Sequence, residues 1–266
     1  MIVRYESDGS IIMITQNDHA QLSGLFAAHW GNDKFTKPKP YMALVRAAMF
    51  HDRGWIRYET GPRLNPDTGR TPNYRDVPND RAQLEAFEWA GDWLSNIDAY
   101  AGLMIAKHRT GLWQGRYGAI THPPAIQRGK LAPEIEALIT RSEAKQKTAA
   151  ANVDASELAV NYNLLQVWDL MSLYICSTET LKPDSIAPVP MSYSGAAGIG
   201  LSLTPLDAKT VALDPYPFDQ PALTTNVIFR RLKQTKFADS AELQSVYFKT
   251  APQIESFRLV PPAAAH

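Results

Sequence analysis

Residues 154–176 read DASELAVNYNLLQVWDLMSLYIC and predict the central helix of the protein. The segment is long and rich in Leu, Tyr and Trp, which is typical of a helix that is buried on most of its faces. Asp169 interrupts this most hydrophobic helix of the chain, and Tyr162, Leu165 and Leu173 stand on the same side. Because positions three, four and seven residues apart share a helical face, the Asp169 carboxylate is predicted to point into the core.

Five other helices are predicted around this segment. Their approximate spans are residues 17–29, 40–51, 80–95 and 98–108, and a fifth helix that begins near residue 133. Residues 58–80 are crowded with Pro, Gly, Asn and Asp, and predict a long loop between the second and third helices. Loops of this length in compact domains are usually functional or packed over something.

Three histidines end predicted helices on faces that also carry apolar residues. His29 ends the first helix, His51 ends the second and is followed by Asp52, and His108 ends the fourth. The apolar residues stand three, four or seven places earlier, so these side chains are predicted to point inward, as Asp169 does.

The chain changes character beyond residue 178. Pro-rich segments alternate with β-type runs such as GIGLSLTPL and TNVIFRRL, which predict antiparallel strands, and residues 1–15 predict a short hairpin or cap. The expected fold is mainly α: a helical bundle with a C-terminal antiparallel β-rich appendage. The expected domains are residues 1–185, which bind metal, and residues 186–266, which pack on them. Two roles are open for the appendage, covering the site or forming a homodimer.

Charge and cysteine content exclude several classes of partner and site. The 266 residues contain 27 Lys and Arg against 27 Asp and Glu, so no basic excess attracts nucleic acid or an anionic membrane. No segment approaches the roughly 18 apolar residues of a membrane span, and a cytoplasmic location is expected. A small-molecule substrate is the expected partner. Cys176 is the only cysteine, so a metal would need imidazole, carboxylate and water ligands.

These inward imidazoles and carboxylates predict a shared metal site. Taken singly, each has an ordinary explanation: a hydrogen-bonded core histidine, an imidazole at a helix C-terminus, or an Asp bonded to a neighbouring hydroxyl. Buried separately and unpaired, they would cost several kcal/mol each, and one cation at their centre would remove that cost. The expected cofactor is one or two divalent ions, with Fe, Mn, Zn, Ni, Co and Mg as candidates. His19, at the other end of the first helix from His29, is interpreted as a capping-turn residue.

The order His29, His51-Asp52, Asp169 resembles the signature of the HD superfamily of metal-dependent phosphohydrolases. Members of that superfamily with two metals insert histidines before the last Asp, and His108 and His122 match this pattern. The resemblance implies that the helical bundle is HD-domain-like. It also implies that His29, His51 and Asp169 bind one metal, that His108 and His122 bind the other, and that Asp52 bridges them.

A second resemblance covers nearly the whole chain. Segments such as ITQNDHAQLSGLFAAHWGN, HDRGW, LNPDTGRTP, KHRTGL, WDLMSLYIC and DPYPF are similar to the uncharacterised bacterial family known as domain of unknown function 3891. That family brings no activity with it, so the resemblance implies architecture rather than a reaction.

Three functions remain open from the sequence. The first is hydrolysis of a phosphate ester or related small anion, with Lys107, Arg109 and Arg116 receiving the anion. The second is a diiron oxygenase that cleaves a C–C or C–P bond with the same ligands. The third is a non-catalytic, metal-stabilised binding module.

Two groups of residues outside the ligand set accompany these hypotheses. In the binding module, charged residues of the long loop would face a partner: Glu59, Arg63, Asp67 and Arg70. In an enzyme, four aromatic residues are candidates for a pocket wall near the metal: Trp55, Tyr58, Trp113 and Tyr117.

Overall fold

A computed structural model describes residues 1–77, 81–114, 131–195 and 197–262. Eight helices lie in these ranges: α1 (Gln16–His29), α2 (Tyr41–Phe50), α3 (Ile56–Glu59), α4 (Arg81–Ser95), α5 (Ala99–Trp113), α6 (Pro133–Ala149), α7 (Ala155–Cys176) and α8 (Ser240–Lys249). The predicted helices are confirmed, with α5 continuing five residues beyond His108. Asp98 and Asp154 cap α5 and α7, since each carboxylate accepts a bond from the backbone N–H three residues later.

Seven strands form one sheet: β1 (Ile2–Tyr5), β2 (Ile11–Ile14), β3 (Asp184–Val189), β4 (Ile199–Pro205), β5 (Thr210–Asp214), β6 (Leu223–Leu232) and β7 (Gln253–Val260). Their spatial order is β1-β2-β6-β7-β5-β4-β3. All neighbours are antiparallel except β5 and β7, which run parallel. The predicted N-terminal hairpin is confirmed, and β2 joins it to β6, with Ile12 opposite Arg231.

The prediction of a mainly α bundle with an antiparallel β appendage is wrong. Of the described residues, 45% are helical and 19% are in strands, and the sheet is mixed and curled. The physical reason is burial: β6 alternates inward Val227 and Phe229 with exposed residues, and the inward side chains belong to the same core as Phe26 and Trp168. The strands therefore supply part of the main core. The division at residue 185 stays a prediction.

Helices α1, α2, α5 and α7 pack closely enough to bring their polar residues together. Gly24 allows α1 to approach α2, because a Cβ at this position would lie 2.9 Å from Met49 Cβ. Trp30 and Trp168, fully buried in edge-to-face contact, join the end of α1 to α7. The contacts among these four helices fix the end of α2, where His51 lies.

The loop after α3 is held against the N-terminal hairpin by hydrogen bonds to its backbone. Asn73 Nδ2 donates to Val3 O at 3.0 Å, and Tyr74 N donates to Met1 O at 2.8 Å. Thr71 N donates to the Tyr5 hydroxyl at 3.1 Å. The segment from residue 71 to 75 therefore has a defined position beside the sheet.

The length and hydrophobicity of each helix determine whether it could cross a membrane. Within the described ranges, every helix is either too short or too polar to span a bilayer.

Candidate metal centre

Five ionisable side chains from four elements meet in the core. His19 lies in α1, His51 and Asp52 follow α2, His108 lies in α5 and Asp169 in α7. Their exposed fractions run from 0% for His19 to 4% for Asp52 and Asp169. Buried ionisable residues at this density are expected only where they satisfy one another or hold an ion.

The nitrogen and oxygen atoms of this cluster face one another at short range. His19 Nε2 lies 3.1 Å from Asp52 Oδ2, and His51 Nε2 lies 3.3 Å from Asp169 Oδ1. His108 Nε2 lies 3.8 Å from Asp52 Oδ1. The ring of His51 is edge-to-face with the rings of His19 and His108, at 5.0 and 4.8 Å between centroids. The side chains of the cluster therefore converge on a small shared volume.

Two overlapping groups of these residues could hold a metal ion. His19, His51 and Asp169 form one group, His51, Asp52 and His108 the other, and within each group the ligand atoms lie within 4.8 Å of one another. Ligands about 2.0–2.2 Å from a zinc-sized ion are roughly 3–4 Å apart. The three nitrogen–oxygen distances given above, 3.1, 3.3 and 3.8 Å, lie in this range. The donor set of imidazole nitrogens and carboxylate oxygens suits first-row divalent ions.

The tautomers of His19 and His51 leave a lone pair on Nε2. His51 Nδ1 donates to Ala48 O at 2.7 Å, because a carbonyl can only accept. The Ser172 hydroxyl donates to Asp169 O at 2.7 Å, so it accepts from His19 Nδ1 at 2.8 Å. Both Nε2 atoms then face a carboxylate oxygen with a lone pair, an arrangement that needs a second proton or a cation between them.

Buried polar atoms that lack a hydrogen-bond partner also indicate that the cluster needs a cation. Among the described residues, His51 Nε2 and Asp52 Oδ1 have no hydrogen-bond partner. A buried acceptor left without a bond costs about 1–3 kcal/mol, and more if it is charged. A coordinated cation would satisfy both atoms at once, so the residues present fit a metal ion.

The pKa shifts of His51 and of the two aspartates indicate that the cluster favours a positive charge at its centre. Burial would lower the pKa of His51, but the carboxylates of Asp169 and Asp52 outweigh it and raise the pKa from 6.5 to about 9. Burial would raise the pKa of both aspartates, but the imidazoles around each one outweigh it and lower the pKa, that of Asp52 to well below its ordinary value. For His108, burial dominates and lowers the pKa.

A buried hydrogen-bond chain holds Asp52 in place. Gln16 Nε2 donates to Asp52 Oδ2 at 3.0 Å, and Gln16 N donates to Glu59 Oε1 at 2.6 Å. The Met1 amino group also lies 2.9 Å from Glu59 Oε1. Burial raises the pKa of Glu59, and its bonded partners oppose this. Glu59, expected on a partner surface, is therefore a buried support of the cluster.

Of the predicted metal ligands, the structure brings four together. They are His51, Asp52, His108 and Asp169. His29 lies elsewhere: its Nδ1 is 3.0 Å from Asp219 Oδ1, and its side chain is 26% exposed. His122 lies outside the described residues.

His19 supplies the imidazole that was assigned to His29. It lies ten residues earlier in α1, about 15 Å along the helix axis. The interpretation of His19 as a capping-turn residue is wrong, because Thr15 caps α1 and His19 is fully buried. The available signal was that Leu22 and Phe26 stand three and seven residues after His19, so it passes the same test as His29.

Lys107 and Arg109, proposed to bind the anion, stand on either side of His108 in α5, and each lies over an aromatic ring. Arg109 lies over the rings of Phe87 and Trp113, 3.4 and 4.5 Å from their centroids. Lys107 Nζ lies 5.3 Å from the centre of the Tyr162 ring. Arg116 lies outside the described residues.

The aromatic residues proposed for a pocket wall lie in a hydrophobic core, and the other charged loop residues lie at the surface, where the structure describes them. Trp55 and Trp113 are buried in a second core cluster with Phe87, while Tyr58 packs against it. Arg63 and Arg70 lie over the rings of Tyr58 and Tyr5, and Asp67 is exposed. Tyr117 lies outside the described residues.

Sequence comparisons identify a family without a described activity. A family model described as "Protein of unknown function (DUF3891)" matches residues 1–234. No curated protein and no solved structure matches the chain. These comparisons give no support to the resemblance to HD phosphohydrolases.

Proposed function

The chain belongs to the DUF3891 family. Because the description of that family names no activity, we propose one from the site itself: a metal-dependent hydrolase acting on a phosphate ester or related small anion. The observation that carries the proposal is the convergence of three buried imidazoles and two buried carboxylates, with His19 and His51 turning Nε2 lone pairs toward carboxylate oxygens.

A purely structural role explains this cluster poorly. Replacing buried ion pairs by well-packed apolar residues is often neutral or stabilising by about 1–4 kcal/mol. A chain that needed only stability here would gain from Leu or Phe at these positions. Clusters of perturbed ionisable groups are instead typical of binding and catalytic sites.

Some residues at this site would be metal ligands, and others orient those ligands. An ion would be held either by His19, His51 and Asp169 or by His51, Asp52 and His108. The two groups are alternatives, because His51 has a lone pair only on Nε2. When bound, a divalent ion lowers the pKa of water and neutralises charge on phosphoryl oxygens. Ala48 O, Ser172 Oγ and Gln16 Nε2 fix the orientation of the imidazoles and of Asp52.

The choice of phosphate esters rests on the order of the ligands. With His19 in place of His29, the order His19, His51-Asp52, Asp169 still resembles the HD signature. The donor set alone is shared by hydrolases and diiron oxygenases, so metal identity and oxygen consumption separate the two reactions.

The test begins with metal analysis of protein purified with and without a chelator. We expect at least one equivalent of divalent metal in wild type, and phosphate release from a panel of phosphate monoesters after reloading with Mn²⁺ or Zn²⁺. His19→Ala should lose the metal and the activity. His29→Ala, a histidine change in the same helix, should keep both.

Two results would overturn the proposal. Wild-type protein that binds no divalent metal would exclude a metal-dependent enzyme. Two equivalents of iron with oxygen consumption, and no phosphate release with any metal, would assign the oxygenase instead.

A further inference from the structure

An open groove of about 710 Å³ lies between the end of α7, the start of β3 and the loop after α3. Its lining combines apolar and cationic side chains, among them Arg75, Leu170, Leu173, Tyr174, Lys182 and Leu203. The cations lie on separate segments, and Asp184 is the acidic residue of the lining. The groove therefore offers an apolar wall with positive charge beside it.

Arg75 is held at this groove by its neighbour Tyr74. Its Nε donates to the Tyr74 hydroxyl at 2.9 Å, and its guanidinium carbon lies 5.4 Å from the centre of the same ring. Arg75 is exposed, and among the described residues Tyr74 is its one side-chain hydrogen-bond partner. Among the same residues, the two terminal guanidinium nitrogens have no hydrogen-bond partner, so they can bind a ligand in the groove.

The backbone of this segment is fixed, which gives the guanidinium a defined place. Tyr74 N bonds to Met1 O, and Asn73 Oδ1 accepts from Arg75 N at 3.4 Å while its Nδ2 donates to Val3 O. A preorganised arginine loses less conformational entropy when it binds an anion than a free one does.

None of the five residues of the metal centre lines the groove, but two features relate the groove to that centre. Leu170 and Leu173 belong to the same part of α7 as Asp169, one and four residues beyond it. Burial raises the pKa of the half-buried Tyr74, Arg75 opposes this, and the carboxylates of Asp169 and Asp52 raise it further. The carboxylates of the metal centre therefore act on the same hydroxyl that accepts a hydrogen bond from Arg75.

We propose that this groove binds the substrate of the proposed hydrolase, with Arg75 binding its phosphate group and the leucine wall receiving the rest. The substrate class is a phosphate monoester with an apolar or aromatic body. Arginine suits this role because its planar fork makes two parallel bonds to phosphate oxygens. The inference rests on the proposed function for its reaction, but the groove can be tested for binding alone.

The test uses phenylphosphonate and methylphosphonate, two anions that phosphatases cannot hydrolyse and that differ in their apolar part. Calorimetric titration into purified protein of known metal content should give tighter binding of phenylphosphonate. Arg75→Ala should weaken phenylphosphonate binding about tenfold or more. Tyr74→Phe, which keeps the ring and removes the acceptor for Arg75, should weaken it about threefold.

Arg70→Ala is the matched control. Arg70 belongs to the same loop and also lies over a tyrosine ring, 4.2 Å from the centre of Tyr5, but it lines a different groove. Its replacement should leave binding within about twofold of wild type.

The outcomes separate this inference from the proposed function. Equal binding by wild type and Arg75→Ala, or no binding by wild type that holds its metal, would overturn the groove assignment and leave the hydrolase standing. Arg75-dependent binding in protein that holds no metal would support the groove and overturn the hydrolase.

Discussion

Helix α1 carries a histidine near each end, and the two imidazoles have opposite surroundings. His19 is fully buried, with Nδ1 bonded to Ser172 and Nε2 facing Asp52. His29 is partly exposed and meets one carboxylate, that of Asp219, which is itself 39% exposed. In both cases a histidine of α1 lies about 3 Å from an aspartate outside the helix.

The difference between the two ends lies in solvent access. At the His29 end, water screens the ion pair, so its contribution is at most about 1 kcal/mol. At the His19 end, three helices exclude water, and each unbalanced charge or lone pair costs several times more. A distance of 3 Å therefore says little about function until burial is known, and the comparison predicts a graded set of effects.

The largest effect is expected on metal affinity when the buried histidine is removed. His19→Ala deletes a ligand, whereas changes to the groups that merely orient ligands already cost about 10–100-fold. We therefore expect a loss of at least about 1000-fold in metal affinity, measured by competition with a chromophoric chelator. Bound metal also raises the melting temperature, and this rise should disappear.

The control for this measurement is the other end of the helix. His29→Ala should keep wild-type metal affinity and the same metal-dependent rise in melting temperature. Equal losses in both variants would mean that the helix as a whole, and not the buried imidazole, supports the site.

The second effect concerns pH in metal-free protein. The pKa of His51 is raised from 6.5 to about 9, so its protonation stabilises the fold by roughly 3 kcal/mol. A raised pKa gives stability that is fully present below pH 6.5 and is lost as the pH rises toward 9. Asp52 and Asp169 have lowered pKa values, so their stabilisation is lost instead as the pH falls below about 4.

Urea unfolding of chelator-treated protein between pH 5 and 9.5 measures this dependence. The free energy of unfolding should fall above pH 6.5 in metal-free protein and stay nearly level in metal-loaded protein, where a cation replaces the proton. A flat profile in metal-free protein would show that the cluster does not require positive charge.

The third effect comes from the hydroxyl that orients His19. Ser172→Ala removes the acceptor of His19 Nδ1 and the donor to Asp169 O. Metal affinity should fall about tenfold, the lower end of the range for groups that orient ligands. Ser156→Ala, which removes an exposed hydroxyl at the other end of α7, is the control and should leave affinity unchanged.

The candidate site was largely predictable because helical periodicity is a local property. Apolar residues three, four and seven places away marked His51, His108 and Asp169 as inward, and the structure buries all three. The same rule could not rank His19 against His29, since Leu22 and Phe26 lie within one or two turns of both. Choosing between them requires knowing which end of α1 the other helices cover, and that is a tertiary property.

The sheet was less predictable for a related reason. Alternation in β4 and β6 identifies strands and their inward faces, but it does not specify a partner. The pairing of β2 with β6 joins residues that are more than 200 positions apart, and the parallel pairing of β5 with β7 skips over β6. Only the structure shows that these strands pack into one hydrophobic core with α1 and α7.

The smallest effect is expected at the exposed end of α1. Asp219→Asn removes the carboxylate partner of His29 and should change the free energy of unfolding by less than about 0.5 kcal/mol, because solvent screens the pair. Urea unfolding at low and high salt measures it, and added salt should shrink the effect further. Asp52→Asn is the matched change at the buried end, and there metal binding itself should be lost. If Asp219→Asn also reduced metal affinity, the two ends of α1 would be coupled, and the separation drawn here between a buried metal centre and a surface ion pair would be wrong.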